Sequence, residues 1–327
     1  MKPDRFRQFG IPRSAIRAAV LGHAVGDALG VPVEFLRREQ LRRRPVTGMR
    51  GHGTHRQPAG TWSDDTSLSL CLAESLCGGY NLRDQGQWFR RWWFESEWTP
   101  HGEVFDIGVT TRHAISRLER VDDPRLAGPR DVNSNGNGSL MRILPLALYL
   151  ARCDPAERIN ASMDASCLTH GHVRSQLACA FYVELAARII NGLSLTAALR
   201  DTQVVFTDLI ETRFPDERLA FTLPLKPRLA DRGDKEISGS GYVIHTLGAS
   251  LWCCLNSGSY EEAVLRAVNL GEDTDTTGAV TGGLAGLIYG ADSIPEHWWC
   301  QLSRLADIED LIQRFSKACE DCWKETT

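Results

Sequence analysis

Gly271-Glu272-Asp273-Thr274-Asp275-Thr276-Thr277-Gly278 runs on through Gly282, Gly283 and Gly286. The stretch sets Asp273 and Asp275 two residues apart, with hydroxyls interleaved and no Lys, Arg or His among them. Crowded carboxylates repel one another and call for protonation, a basic partner or a metal ion. The glycine-rich run behind them, 278–289, reads as a helix that can lie close against another. A second stretch of the same kind, Gly60-Thr61-Trp62-Ser63-Asp64-Asp65-Thr66, stands far upstream. Each patch alone could be no more than a capped helix start. Together they offer four carboxylates and two hydroxyls, and predict one shared metal site assembled by the fold. That all-oxygen set suits Mg2+ or Mn2+, whereas zinc would favour His or Cys. The ligand spacing of a calcium-binding EF-hand loop is missing. Six such ligands with room for water suit two ions about 3.5–4 Å apart.

Outward from these patches the periodicity is helical. Residues 14–30 predict a helix capped by Ser14, with small residues Ala18, Ala19, Gly22, Gly26 and Gly30, and with Asp27 in an otherwise small and apolar run. Residues 36–60 are basic and rich in Gly and Pro, which predicts a long loop. Ser63 or Asp64 can cap a helix over the apolar segment that follows, where the dipole tolerates carboxylates. Trp88, Trp92 and Trp93 share one helical face and read as core. A helix is expected from Phe105 to about Arg120. The stretch 131–142 alternates Asn and Gly, which favours exposed backbone amides, and leads into an apolar helix over 143–151. Segments 175–193, 196–210, 241–256, 259–270, 278–289 and 305–322 also read as helices. Residues 212–240 predict an excursion over the surface. No alternating strand series and no repeat is found. The expectation is one all-α domain over residues 1–327, of ten or more helices, with function carried by connecting loops.

At 327 residues the chain can bury a large core. Its formal charge of -4 makes no general case for nucleic-acid binding. Residues 1–60 nevertheless hold 12 Arg or Lys against 4 Asp or Glu, densest at Arg37, Arg38, Arg42, Arg43 and Arg44. Such a cluster is a solvated face first and an attractor of phosphate second. Lys2 to Arg17 is too charged for a signal peptide. No apolar run reaches the roughly 18 residues of a membrane span, so no membrane partner is expected. The 10 cysteines mostly sit in apolar periodic stretches, which fits reduced thiols and a cytoplasmic location. Cys319 and Cys322 form a lone pair, with no second pair at zinc spacing.

Several motifs then occur in order. They are Gly26-Asp27-Ala28-Leu29-Gly30 with Glu34, Trp62-Ser63-Asp64-Asp65-Thr66, and Asn135-Gly136-Asn137-Gly138-Ser139-Leu140-Met141-Arg142. Thr169-His170, Gly241-Tyr242-Val243 and Gly271-Glu272-Asp273-Thr274-Asp275-Thr276 follow. This ordered set, spanning about residues 14–320, resembles the ADP-ribosylglycohydrolase family. The resemblance implies a single compact, orthogonal all-α domain with a dinuclear Mg2+ or Mn2+ centre at the base of an ADP-ribose cleft.

It also implies roles. Ser63, Asp64, Asp65, Asp273, Asp275 and Thr276 match metal ligands; many relatives have Thr where this chain has Ser63. Asp106 matches a general base or proton shuttle of the arginine-directed branch, and Glu34 a catalytic carboxylate of the serine-directed branch. Ser134, Asn135, Gly136, Asn137 and Gly138 match the loop that holds ribose and diphosphate. His170 matches a substrate-side residue, and Tyr242 one that bounds the ligand. The implied activity is hydrolysis of mono-ADP-ribose from a protein side chain, arginine first because of the Asp106 motif. The metals would fix the ribose hydroxyls and a carboxylate would move the proton. The implied partners are an ADP-ribosylated protein and, secondly, a cognate ADP-ribosyltransferase. Hydrolysis of serine-linked or small-molecule conjugates is the near alternative. Neutralising a toxin by binding is the more distant one.

Overall fold

The structure is a computed structural model and describes residues 13–325. The charged residues 2–12 of the N-terminal stretch lie outside it. Among the described residues are fourteen α-helices and no strand, only the isolated bridges His52–Gln57 and Gly136–Tyr242. In chain order they begin α1 (Arg13–Gly30), α2 (Arg38–Arg43), α3 (Asp64–Cys77), α4 (Leu82–Glu95) and α5 (Val109–Arg117). Next come α6 (Leu144–Tyr149), α7 (Pro155–Cys167), α8 (Val173–Ile190), α9 (Leu195–Arg213) and α10 (Val243–Leu255). The last are α11 (Tyr260–Val268), α12 (Thr274–Tyr289), α13 (Glu296–Trp299) and α14 (Leu305–Glu325).

The crossing of α1 and α12 positions everything else. A Cβ on Gly26 would stand 2.1 Å from the Gly278 carbonyl oxygen, and one on Gly282 would stand 2.2 Å from that of Gly22. The two backbones therefore touch, and only glycine allows that approach. Neighbouring helices fasten the pair. The Tyr260 hydroxyl of α11 donates to Gly22 O at 2.7 Å, and the Tyr182 hydroxyl of α8 donates to Val280 O at 2.9 Å. The crossing runs up to the site, because a Cβ on Gly30 would stand 2.3 Å from Asp275 Cα. Asp27 of α1 is thereby brought beside the first turn of α12.

Helix α3 packs against α4 and α14, with Leu68, Leu72, Phe89, Trp92 and Phe315 all buried. The aromatic face of α4 is core as expected, Trp88 and Trp93 being half-buried at its margin. Ser63 caps α3 by accepting from Asp65 N. The 212–240 stretch holds only short 3-10 turns after Arg213.

Several boundaries differ from expectation. Helix α1 already runs at Arg13, so Ser14 lies inside its first turn rather than capping it. Helix α12 starts at Thr274, with Asp273 as its N-cap, so both acidic residues of that stretch belong to the helix start. Helix α5 begins at Val109 because Asp106 has φ 57, a left-handed conformation that no helix continues. The basic loop contains α2. Helix α7 was not anticipated: it buries Arg158, Ser162 and Ser166, which mask its apolar period. By length and composition Arg13–Val33 could cross a membrane, against expectation, yet 94% of its 18-residue apolar stretch is buried inside the protein.

Candidate functional site

Asp27 is the hinge between the two acidic patches. Its carboxylate accepts from Ser63 N at 2.9 Å, Thr66 N at 3.0 Å and Thr66 Oγ1 at 2.6 Å. One buried side chain of α1 thus satisfies free amides at the start of α3. The sequence showed Asp27 as a lone charge in an apolar helix, which was the signal for it.

The starts of α3 and α12 then face each other. Ser63 Oγ donates to Asp65 Oδ2 at 2.9 Å, and Thr276 Oγ1 donates to the same oxygen at 3.3 Å. Asp273 Oδ2 accepts from Asn137 Nδ2 at 2.9 Å, and Asp275 Oδ1 accepts from Thr276 N at 2.9 Å. Each of the three carboxylates keeps a second oxygen, namely Asp65 Oδ1, Asp273 Oδ1 and Asp275 Oδ2, that is buried with no hydrogen-bond partner. Buried carboxylate oxygens without a donor are costly unless a cation meets them. Asp27, Asp65 and Asp275 bring ligand oxygens within 4.8 Å of one another. The donor set fits a hard divalent cation. Asp64 is buried beside them. Ser63 Oγ accepts from Asp65 N as the α3 cap, which leaves it one further lone pair, and its carbonyl accepts from Ser67.

The electrostatics say the same. Burial first, and neighbouring carboxylates second, push Asp64, Asp65 and Asp275 well above the usual carboxylate range. Burial also raises Asp273, and lifts Asp27 to about 6 against its hydrogen bonds. Among the described residues no basic side chain forms an ion pair with these carboxylates, and without a metal their crowding favours the protonated forms.

Glu34 and Asp106 form the outer part of the site. Backbone bonds from Phe35 N to Glu272 O, 2.6 Å, and from Glu272 N to Leu36 O, 2.8 Å, strap the Glu34 turn to the α12 approach. Thr54 Oγ1 donates to Glu34 O at 2.7 Å. His55 Nε2 meets Glu34 Oε2 and stands 3.9 Å from Asp106 Oδ1. Ligand atoms of Glu34, His55, Asp106 and Asp275 lie within 4.8 Å of one another. Burial, then the Asp273 charge, lifts Glu34 to about 8; burial, then Glu34, lifts Asp106 to about 7. His55 escaped the sequence reading, because nothing in the spacing of the 51–57 loop marks it.

The 134–138 segment reaches the site through the Asn137 side chain on Asp273 and through its backbone. Gly136 bridges Tyr242, Asn137 N donates to Gly241 O at 3.0 Å, and Val243 N donates to Asn135 O at 3.0 Å. Asn135 accepts from Ser175 Oγ at 3.1 Å, and Ser134 Oγ is held by Asp131 at 2.6 Å. His170 is buried with its Nδ1 on Thr169 Oγ1 at 3.0 Å, and burial holds it neutral, down to about 3. Its ring lies under the loop: a Cβ on Gly138 would stand 2.8 Å from His170 Cε1. Tyr242 is the N-cap of α10, edge-on to His245 at 4.9 Å. Of the basic cluster, Arg38 is spent on the carbonyls of Leu270, Asp234 and Ile237, and Arg42 on Asp234.

Known proteins are similar to this chain over most of its length. The ADP-ribosylarginine hydrolase Tri1 of Serratia proteamaculans is 32% identical over 91% of this chain and 78% of its own length. The ADP-ribosyl-dinitrogen reductase glycohydrolase of Rhodospirillum rubrum is 29% identical over 89% of this chain and 91% of its own. A solved structure described as an ADP-ribosylglycohydrolase-related protein complex superposes with a TM-score of 0.76 at 34% identity, covering 94% of this chain and 98% of that one. Residues 10–325 match the family pattern described as ADP-ribosylglycohydrolase. With its two acidic helix starts joined through Asp27, the chain belongs to the ADP-ribosylglycohydrolase family.

Proposed function

We propose that the protein hydrolyses the N-glycosidic bond between ADP-ribose and an arginine side chain of a modified protein, in the cytoplasm. The observation that carries the metal-dependent part is the set of three buried, unpartnered oxygens on Asp65, Asp273 and Asp275. The arginine linkage is supported by the likeness to Tri1 over 91% of the chain.

Asp64, Asp65, Asp273 and Asp275, with Ser63 and Thr276, would hold two Mg2+ or Mn2+ ions. When bound, such ions supply positive charge that orients ribose hydroxyls and steadies the electron-poor sugar. The 134–138 backbone would hold ribose and diphosphate, with His170 beneath it and Tyr242 at its edge. Neutral His170 adds no charge there, so the amides select the anion.

The reaction breaks the bond from the anomeric carbon to a guanidine nitrogen and forms one to a water oxygen. Guanidine leaves poorly without a proton. Asp106 is the more exposed carboxylate, 19% against 7% for Glu34, and so stands nearer the solvent side where a protein-borne leaving group departs. From that side its carboxyl would carry a proton to that nitrogen. Glu34 would take the proton from water; His55 fixes its Oε2.

The test is release of free ADP-ribose from arginine- and serine-linked peptides, with Mg2+, with Mn2+ and with EDTA. Metal-dependent release from the arginine peptide is expected. Release only from serine, or release indifferent to EDTA, would overturn the reading. A cognate ADP-ribosyltransferase would be the source of the modified substrate.

A further inference from the structure

Phe35 follows the buried Glu34 directly, yet it is 66% exposed. Its φ of 65 puts it in the left-handed region, an outlier for a bulky side chain. The two backbone bonds to Glu272 hold it there. The chain thus maintains an unfavourable backbone conformation to present an apolar ring to water, next to the His55 that meets the Glu34 and Asp106 carboxylates. Strain kept at such a place points to a ligand.

The ring is one of a row. Phe35 and His55 have centroids 6.0 Å apart, and His55 and Phe105 5.4 Å, with planes tilted 56° and 51°. Behind the row stand the Glu34 and Asp106 carboxylates, both facing His55. Exposure rises outward, from 7% at the Glu34 side chain through 15% at His55 and 19% at Asp106, to Phe35. The gradient runs from the buried carboxylates to solvent past the two aromatic rings.

Resting on the arginine-linked reading, we propose that Phe35, His55 and Phe105 form the subsite for the modified arginine side chain, with the guanidine plane against Phe35 and its nitrogens toward Asp106. A guanidinium is planar, weakly hydrated and always in need of an acceptor. It stacks on aromatic faces and pairs with carboxylates. An ADP-ribosylated serine offers neither the plane nor the charge, so this wall would set the preference for arginine.

The experiment compares kcat/KM on an ADP-ribosyl-arginine peptide for the wild type, Phe35→Ala, Phe35→Leu and Phe35→Tyr. It also measures inhibition by free ADP-ribose. The expected loss is roughly 5- to 30-fold for Ala and Leu, carried mainly by KM. Tyr should restore it, and the inhibition constant for ADP-ribose should not move in any variant, which also shows that each is folded. An unchanged kcat/KM in Phe35→Ala overturns the subsite while leaving the arginine reading intact. A matching loss of ADP-ribose affinity also overturns it, because Phe35 would then serve the sugar. A wild type inactive on the arginine peptide overturns both.

Discussion

Thr276 Oγ1 donates to Asp65 Oδ2 across 3.3 Å, although 211 residues separate the two in the chain. That oxygen also accepts from Ser63, while Asp65 Oδ1 is buried without a partner. Asp65 therefore ties one oxygen into the fold and turns the other, without a donor, to where a cation would meet it. Asp65→Asn keeps an acceptor for the hydroxyls and removes a charge whose burial is unfavourable. Its metal-free melting temperature should equal or exceed the wild type's, while the rise on adding Mg2+ or Mn2+ disappears. Activity should fall by about 100-fold or more, since changes even one shell further out cost 10- to 100-fold. A variant that still gained stability from metal would remove Asp65 from the ligand set.

The raised carboxylates give metal-free protein an unusual pH dependence. Glu34, Asp106 and Asp27 rise in the fold to about 8, 7 and 6 from 4.5, 3.8 and 3.8, in each case through burial first. Between those limits the folded chain binds more protons than the unfolded chain. Stability is then fully present below about pH 4 for these groups and is lost as pH climbs toward 8. In EDTA the melting temperature should fall steadily from pH 5 to pH 8.5, and divalent metal should shrink the slope by favouring the ionised forms. A flat or rising profile in EDTA would contradict the burial argument.

The glycine crossing makes a sharper mechanical claim. Gly26→Ala would set a methyl 2.1 Å from a backbone oxygen that has no rotamer to escape into. Overpacking of this kind costs about 1–3 kcal/mol or more, and the strain falls one residue from Asp27. Gly258→Ala would meet only the flexible Glu262 Oε2 at 3.8 Å. Urea unfolding should show a large loss for the first and less than about 0.5 kcal/mol for the second. Metal affinity should weaken only in Gly26→Ala. Equal effects in the two variants would mean that α1 and α12 are not in backbone contact.

Much of this site was legible in the sequence because its residues are chemically odd where they stand. Asp64, Asp65, Asp273 and Asp275 have no local basic partner, and the glycines of α1 and α12 repeat at helical spacing. Those two facts carry both the all-α fold and the meeting of the acidic patches. Helix α7 was illegible because its buried face includes Arg158, which pairs with Glu184 of α8 at 2.7 Å. A buried ion pair reads as solvent exposure when only one partner is in view. His55 was illegible for another reason: its place beside Glu34 and Asp106 depends on the loop 51–55 folding back onto Pro32. A Cβ on Gly53 would stand 1.9 Å from the Pro32 oxygen. The start of α5 was misjudged because a left-handed Asp106 leaves no trace in composition.

That left-handed Asp106 can be assigned by its leaving-group dependence. If its carboxyl gives the proton that releases guanidine, Asp106→Asn should lower kcat on arginine-linked ADP-ribose by about 100- to 10,000-fold. An ADP-ribose conjugate of nitrophenol needs no such proton, because nitrophenolate is stable as it leaves. On that substrate the same variant should keep activity within about 10-fold, a loss smaller than general acid catalysis contributes. Glu34→Gln should be impaired on both substrates, since water must be deprotonated whichever group departs. Equal loss on both substrates in Asp106→Asn would make Asp106 the base that activates water. Sparing of the nitrophenyl substrate in Glu34→Gln instead would reverse the two roles. The contrast does not depend on metal loading, provided that each variant still shows the metal-induced rise in melting temperature.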